Sequence, residues 1–184
     1  MKTDENNILT IENLTIGYEQ KKQQKIIAKG INFAIKKGTL NAVVGKNGIG
    51  KSTLLRTLSK VQKPLAGAIF INKKNSKAYL HQELAKTISL VLTERLPESQ
   101  LTVFEVIALG RQPYTNWIDS LTKKDLEKIH WAIEQTNLAA LQNNRCSELS
   151  DGQMQRVLIA RALSQDTEII VLDEPTAHLD MHQT

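Results

Sequence analysis

Period-two alternation marks the first elements of the chain. Leu14-Thr15-Ile16-Gly17-Tyr18 and Ile31-Asn32-Phe33-Ala34-Ile35 each carry apolar residues at every second position, the pattern of half-buried strands. Lys36-Lys37-Gly38 predicts a turn, and Leu40-Asn41-Ala42-Val43-Val44 reads as a buried strand running into a glycine-rich loop. A helix is predicted from Lys51 to about Lys60, with Leu54, Leu55 and Leu58 on one face. Pro64 and Gly67 punctuate the chain before two short strands, Ala68-Ile69-Phe70-Ile71 and Ile88-Ser89-Leu90-Val91-Leu92.

The texture changes after Glu94, and Arg95 to about Leu149 reads as mostly helical. Thr102-x-x-Glu105 has the form of a capping box, with hydroxyl and carboxylate satisfying orphan N–H groups at a helix start. Val103, Val106, Ile107 and Gly110 follow at helical spacing, and Pro113 ends that segment. A second start lies at Thr122-x-x-Asp125, followed by an apolar stripe of Leu126, Ile129 and Ile133. His130 and Trp131 read as helix packing rather than as ligands. A third helix is predicted from near Ser150, carrying Val157, Leu158 and Ala162. Ile169-Ile170-Val171-Leu172 is a buried strand that ends in Asp173-Glu174-Pro175. Strands alternating with helices predict a mainly parallel α/β sheet, interrupted by a helical insertion.

Composition narrows the class. The chain has 184 residues, 41% hydrophobic and 23% charged, enough for one domain with a core built of aliphatic rather than aromatic side chains. No apolar stretch approaches the roughly 18 residues that span a bilayer. The start, Met1-Lys2-Thr3-Asp4-Glu5-Asn6-Asn7, lacks an apolar signal region, so the expectation is a cytosolic protein or one held at a membrane by a partner. The lone Cys146 excludes an internal disulfide and reads as a small residue beside a helix end. Net charge is +5, which suits nucleic acid, nucleotide phosphate or an anionic membrane surface. The basic groups Lys21, Lys22 and Lys25, then Lys73, Lys74 and Lys77, then Lys123 and Lys124 are spread out and read as solvated turns.

Three motifs carry chemistry. Gly45-Lys46-Asn47-Gly48-Ile49-Gly50-Lys51-Ser52-Thr53 satisfies G-x-x-x-x-G-K-[ST] between a predicted strand and a predicted helix. Its glycines let the backbone turn successive N–H groups toward one anion, and the helix N-terminus adds positive potential. Lys51 would reach the β- and γ-phosphates and Ser52 would hold Mg²⁺. Alone, the loop identifies only the phosphate of a nucleotide, because kinases, GTPases and ATPases share it. Asp173 and Glu174 follow an aliphatic strand at its carboxyl end, where open α/β sheets bind ligands. Asp173 can position Mg²⁺, while Glu174 can polarise an attacking water. Leu149-Ser150-Asp151-Gly152-Gln153 opens a helix, with Ser150-x-x-Gln153 as a further capping box, one helix ahead of the acidic strand.

In this order the motifs resemble those of the ABC ATPase family, and the resemblance covers the whole chain. Gly45 to Thr53 is similar to its Walker A, Leu149 to Gln153 to its signature motif, Ile169 to Glu174 to its Walker B, and Ala177-His178-Leu179-Asp180 to its D-loop. Tyr18 lies where the family stacks an aromatic ring on adenine. The resemblance implies an α/β, RecA-like P-loop NTPase core with an N-terminal antiparallel β part and an α-helical insertion subdomain. It implies a core from 1 to 94, a helical subdomain from 95 to 148, and the signature helix, Walker B and D-loop from 149 to 184. It also implies ATP and Mg²⁺ as cofactors, with Ser52 and Asp173 as metal residues and Glu174 as the catalytic base.

Two such subunits pack head to tail in the family, and the signature helix of one caps the γ-phosphate bound by the other. The resemblance implies that the helical subdomain faces membrane permease subunits, which would place the protein peripherally on the inner face of the cell membrane. No nucleic-acid partner is expected. Two departures stand out. Thr93, followed by Glu94, occupies the place of the usual glutamine, leaving a shorter hydroxyl as a further candidate for Mg²⁺ or water. Asp151 replaces the usual glycine of the signature.

Leu101 to Tyr114 resembles importers of ferric siderophores, haem and vitamin B12, with Arg111, Tyr114 and Trp117 as candidate permease contacts against a purely packing role. Two other readings stay open: an ABC ATPase of DNA repair or translation, and a nucleotide-binding remnant without turnover. The chain has no long heptad run and no basic block, which favours transport. Only Met181 to Thr184 follow Asp180, whereas the family continues with a helix, a strand and a histidine that neither His178 nor His182 matches. The expectation is therefore a C-terminally truncated domain, of low stability and little hydrolysis.

Overall fold

The computed structural model describes residues 6–20, 23–92, 100–115 and 120–174. They form two compact units, Met1–Leu80 and His81–Thr184. Among the described residues no helix is long and apolar enough to cross a membrane.

The first unit is built on four antiparallel strands: β1 (Asn7–Gln20), β2 (Gln23–Lys36), β3 (Ala66–Ile71) and β4 (Lys74–Asn75), in the order β2-β1-β3-β4. β1 is central, with Ile11 opposite Phe33 of β2 on one side and Ile69 of β3 on the other. Ile11, Leu14 and Ile16 of β1 are buried with Ile69 and Ile71 of β3, and each such side chain contributes about 1.5–3 kcal/mol. Helix α1 (Lys51–Leu58) ends where Lys60 takes a left-handed φ of 59°. Its buried residues are Thr53, Thr57 and Leu58, so the expected stripe of Leu54, Leu55 and Leu58 is only partly the inward face.

The segment Leu40–Val44 departs from expectation. It is not a strand, and Leu40 and Val44 are 99% and 92% exposed. An aliphatic run becomes a strand only where a neighbour supplies ladder hydrogen bonds, and among the described residues neither sheet includes this one.

The second unit holds α2 (His81–Ala85), β5 (Ile88–Val91), α3 (Val103–Ala108), α4 (Lys123–Gln135), α5 (Asp151–Ser164) and β6 (Ile169–Leu172). β5 and β6 pair in parallel, Ile88 with Ile169 through Val91 with Leu172. These are the parallel strands among the described residues; the larger sheet is antiparallel. β6 is half-exposed rather than buried, with Ile170 and Leu172 open on one face.

All three capping boxes form, at Thr102 with Glu105, Thr122 with Asp125 and Ser150 with Gln153. α3 gives way after Ala108 to a 3₁₀ turn, Leu109–Tyr114, that contains Pro113. Val103, Val106 and Ile107 of α3 pack with Ile129, Ala132 and Ile133 of α4 and with Val157 and Ala160 of α5. Elsewhere on α5, Leu158 and Ala162 pack on Val91 of β5. His130 meets the Phe104 ring at 5.9 Å between centroids, whereas Trp131 stands 44% exposed and packs less than expected, as does Leu126. Lys25 lies on β2, and Lys123 and Lys124 open α4, so these lysines are solvated but not in turns.

Candidate functional site

The glycine-rich loop owes its shape to two left-handed residues. Gly48 has φ 77° and Gly50, the residue that caps α1, has φ 110°. At Gly50 a side chain is excluded twice over, by φ and by space, since a Cβ would lie 2.4 Å from Cγ2 of Ile27. The backbone therefore turns into α1 with Lys51, Ser52 and Thr53 in its first turn. The Lys51 ammonium lies across its own loop and donates to the carbonyl oxygens of Gly45 at 2.9 Å and Lys46 at 3.1 Å. Oδ1 of Asn47 stands 3.5 Å from the same nitrogen. A compact cation is thus held among main-chain groups at a helix N-terminus, the setting that receives phosphate.

Tyr18, a candidate ring for adenine, is half-exposed near the end of β1, and its hydroxyl lies 3.0 Å from Oγ1 of Thr53 on α1. Nothing in the local pattern of either segment announces this contact, which joins residues 35 positions apart.

In the second unit, Asp173 is 2% exposed and its N–H donates to the carbonyl of Val91 at 2.9 Å, which prolongs the β5–β6 ladder by one bond. Glu174, one residue on, is exposed and takes φ 46°. A left-handed non-glycine residue costs on the order of 1 kcal/mol. The adjacent carboxyls thus sit in opposite environments, one buried and one solvated.

At the signature, the Ser150 N–H donates to Oε1 of Gln153 at 2.9 Å, and the Gln153 N–H donates to Oγ of Ser150 at 3.3 Å. Asp151 is exposed in the first turn of α5, where the helix dipole favours a carboxylate. Leu149 packs against the three-helix core. Gln155 on the same helix is 6% exposed, and its Nε2 has no hydrogen-bond partner among the described residues. Sequence patterning had no signal for it. Thr93, Trp117 and Asp180 lie outside the described residues.

Arg111 is not a surface contact. It is 2% exposed, its Nε donates to Oδ1 of Asp125 at 2.9 Å, and its Nη1 donates to the Ser164 carbonyl at 2.7 Å. The guanidinium lies 3.9 Å from the centroid of the Tyr114 ring, so the packing role holds for Arg111. A buried charge paired in this way ties the end of α3 to α4 and α5. Cys146 opens a 3₁₀ turn; burial first, then the Glu105 charge, pushes its thiol up, away from nucleophile chemistry.

A RecA-like P-loop core with a helical insertion is the α/β class of ABC cassettes, and the chain belongs to the ABC transporter family, whose profile matches residues 28–177. Among curated relatives, the iron(3+)-hydroxamate import ATP-binding protein FhuC of Bacillus subtilis is 38% identical over 178 residues, covering 96% of this chain and 65% of that protein. A solved metal-chelate type ABC transporter in an inward-facing conformation superposes with a TM-score of 0.75 at 32% identity, covering 95% of this chain and 62% of that one. A dimeric cassette bound to ADP and phosphate superposes with a TM-score of 0.79 at 29% identity, covering 94% of this chain and 76% of that one. Across eight curated relatives the chain spans 58% to 66% of the relative's own length.

Proposed function

We propose that the chain is the ATP-binding and ATP-hydrolysing part of an ABC importer subunit, with cargo of the iron-siderophore, haem or cobalamin type. One observation carries the reading: left-handed Gly48 and Gly50 lead into α1 with the Lys51 ammonium held across the loop. Membership of the ABC transporter family adds support, and the metal-chelate and hydroxamate relatives support the cargo class.

In this reading the loop amides and Lys51 bind the phosphates, Tyr18 offers its ring to adenine, and Glu174 accepts the proton of the attacking water. The water oxygen bonds to the γ-phosphorus while the bond to the β–γ bridging oxygen breaks and ADP leaves. Ser52 offers a hydroxyl and Asp173 a carboxylate, hard oxygen donors of the kind Mg²⁺ takes. Mg²⁺, when bound, would neutralise phosphate charge. Leu149 to Gln153 act on the nucleotide of a second subunit packed head to tail, a reading supported by the dimeric cassette. Permease subunits dock on the helical region and hold the protein at the inner face of the membrane.

One observation favours a second reading, nucleotide binding without turnover. Among the described residues the segment leading into the loop, Leu40–Val44, belongs to neither sheet, so no strand ladder holds it there. Calorimetric ATP titration with a phosphate-release assay separates the two. Saturable binding with release that Glu174→Gln abolishes supports the enzyme; binding without release establishes the second reading; no binding overturns both. Co-purification with a permease tests the transport partner.

A further inference from the structure

We propose that Thr53 and Gln62 are positioning residues that clamp Tyr18 to α1, making the ring and the phosphate loop one preorganised body; this rests on reading Tyr18 as the adenine platform. At 44% exposure, the ring is not fixed by burial alone. Its hydroxyl is tied instead, at 3.0 Å, to Oγ1 of Thr53. Thr53 is 6% exposed and β-branched in a helix, so few rotamers are open to it and its oxygen has little room to move. Thr53 also lies two residues beyond Lys51, next to Ser52, which closes the loop motif.

The backbone of the ring is held from the other end of the same helix. Nε2 of Gln62 donates to the Gly17 carbonyl, the group bonded to the Tyr18 nitrogen. The Gln62 N–H in turn donates to the Arg56 carbonyl in the last turn of α1 at 3.1 Å. Gly17 leaves no slack between these holds. A Cβ there would lie 2.1 Å from the Lys25 carbonyl oxygen and 2.9 Å from Cδ1 of Leu65, so β2 and the turn after α1 close on the Tyr18 corner from two directions. Tyr18 is thus held at its backbone and at its tip, both times by α1 or the turn that leaves it.

A ring that is ordered before the base arrives spares the ligand the cost of ordering it. A net hydrogen bond of ordinary strength corresponds to about a threefold to tenfold change in affinity. The effect is confined to ligands that carry a base, because tripolyphosphate engages the loop without using the ring.

The test measures ATP and tripolyphosphate affinities of the chain by calorimetry for Tyr18→Phe, Thr53→Val, their double variant and Gln62→Met, with Tyr18→Ala alongside. Tyr18→Phe should weaken ATP by about threefold to tenfold and leave tripolyphosphate unchanged. Once either hydroxyl is gone, removing the other should cost less, and Gln62→Met should weaken ATP selectively. The clamp is overturned if the Tyr18→Phe and Thr53→Val losses simply multiply, or if Tyr18→Phe or Gln62→Met weakens both ligands alike. Tyr18→Phe removes one oxygen from a half-exposed ring, so it decides the question even where Thr53→Val fails to fold. Failure of the platform reading itself looks different: Tyr18→Ala would leave ATP affinity intact.

Discussion

Replacing Arg111 by methionine tests the packing of the helical region where it is most exposed to error. The substitution keeps most of the side-chain volume and deletes the charge. It removes the donors to Oδ1 of Asp125 at 2.9 Å and to the Ser164 carbonyl at 2.7 Å. The Asp125 carboxylate would then remain buried, with Oδ2 still accepting from the Thr122 N–H at 2.9 Å and hydroxyl at 2.6 Å, but with no counter-charge on Oδ1. Breaking a buried pair from one side costs roughly 3–5 kcal/mol, a large share of the roughly 5–15 kcal/mol that holds a domain folded.

Urea unfolding followed by far-ultraviolet circular dichroism should show that loss near pH 7. Asp125→Asn in the same chain should recover at least half of it, because the amide keeps an acceptor for Thr122 and removes the stranded charge. The pH dependence sharpens the test. Burial pushes the Asp125 carboxyl up, but hydrogen bonds from Thr122 and Arg111 outweigh it and hold the group below the usual carboxylate range. A depressed carboxyl contributes stability above its unfolded value, near 3.9, and loses it as pH falls through the folded value. The gap between native chain and Arg111→Met should therefore narrow from pH 7 toward about pH 3, as the stranded carboxylate takes up a proton. A loss under about 1 kcal/mol at pH 7, or a gap that ignores pH, would refute the reasoning and return Arg111 to the surface.

Three further outcomes are expected. Gly50→Ala should lower ATP affinity in a calorimetric titration, because neither φ 110° nor the 2.4 Å approach to Ile27 admits a methyl group; Ile27→Ala should rescue it only in part. Ser150→Ala should cost roughly 0.5–2 kcal/mol in urea unfolding, and no change would mean that the cap of α5 carries no stability. Glu174→Gln should keep ATP affinity while slowing phosphate release at least about 100-fold, and unchanged release would remove Glu174 from the role of base.

The parts of the fold legible in the sequence are those set by near neighbours. Thr102 with Glu105, Thr122 with Asp125 and Ser150 with Gln153 each close within one helical turn, so spacing alone declares them. Gly48 and Gly50 are legible for the same reason, since the left-handed turn needs their residue type. What escaped depends on distant partners. Leu40–Val44 has the composition of a strand, but composition supplies no neighbouring ladder. Arg111 and Asp125 are 14 residues apart, and a charged side chain carries no local sign that it will be buried. The link between Tyr18 and Thr53 spans 35 residues and two unlike elements. Trp131 misled in the opposite direction, because a large apolar residue on a helix reads as core whichever way it points.

The central claim is that the loop at Gly45–Thr53 binds the phosphates of ATP through Lys51, and the most direct measurement is the ATP affinity of the chain with Lys51→Ala and, separately, Lys46→Ala. Lys51 places its ammonium across the loop, whereas Lys46 contributes a carbonyl there. One charge-assisted contact corresponds to roughly 1.5–3 kcal/mol, so Lys51→Ala should weaken ATP on the order of 10- to 100-fold. Lys46→Ala should change it little. ATP affinity that survives Lys51→Ala, or that falls further with Lys46→Ala, would contradict the account.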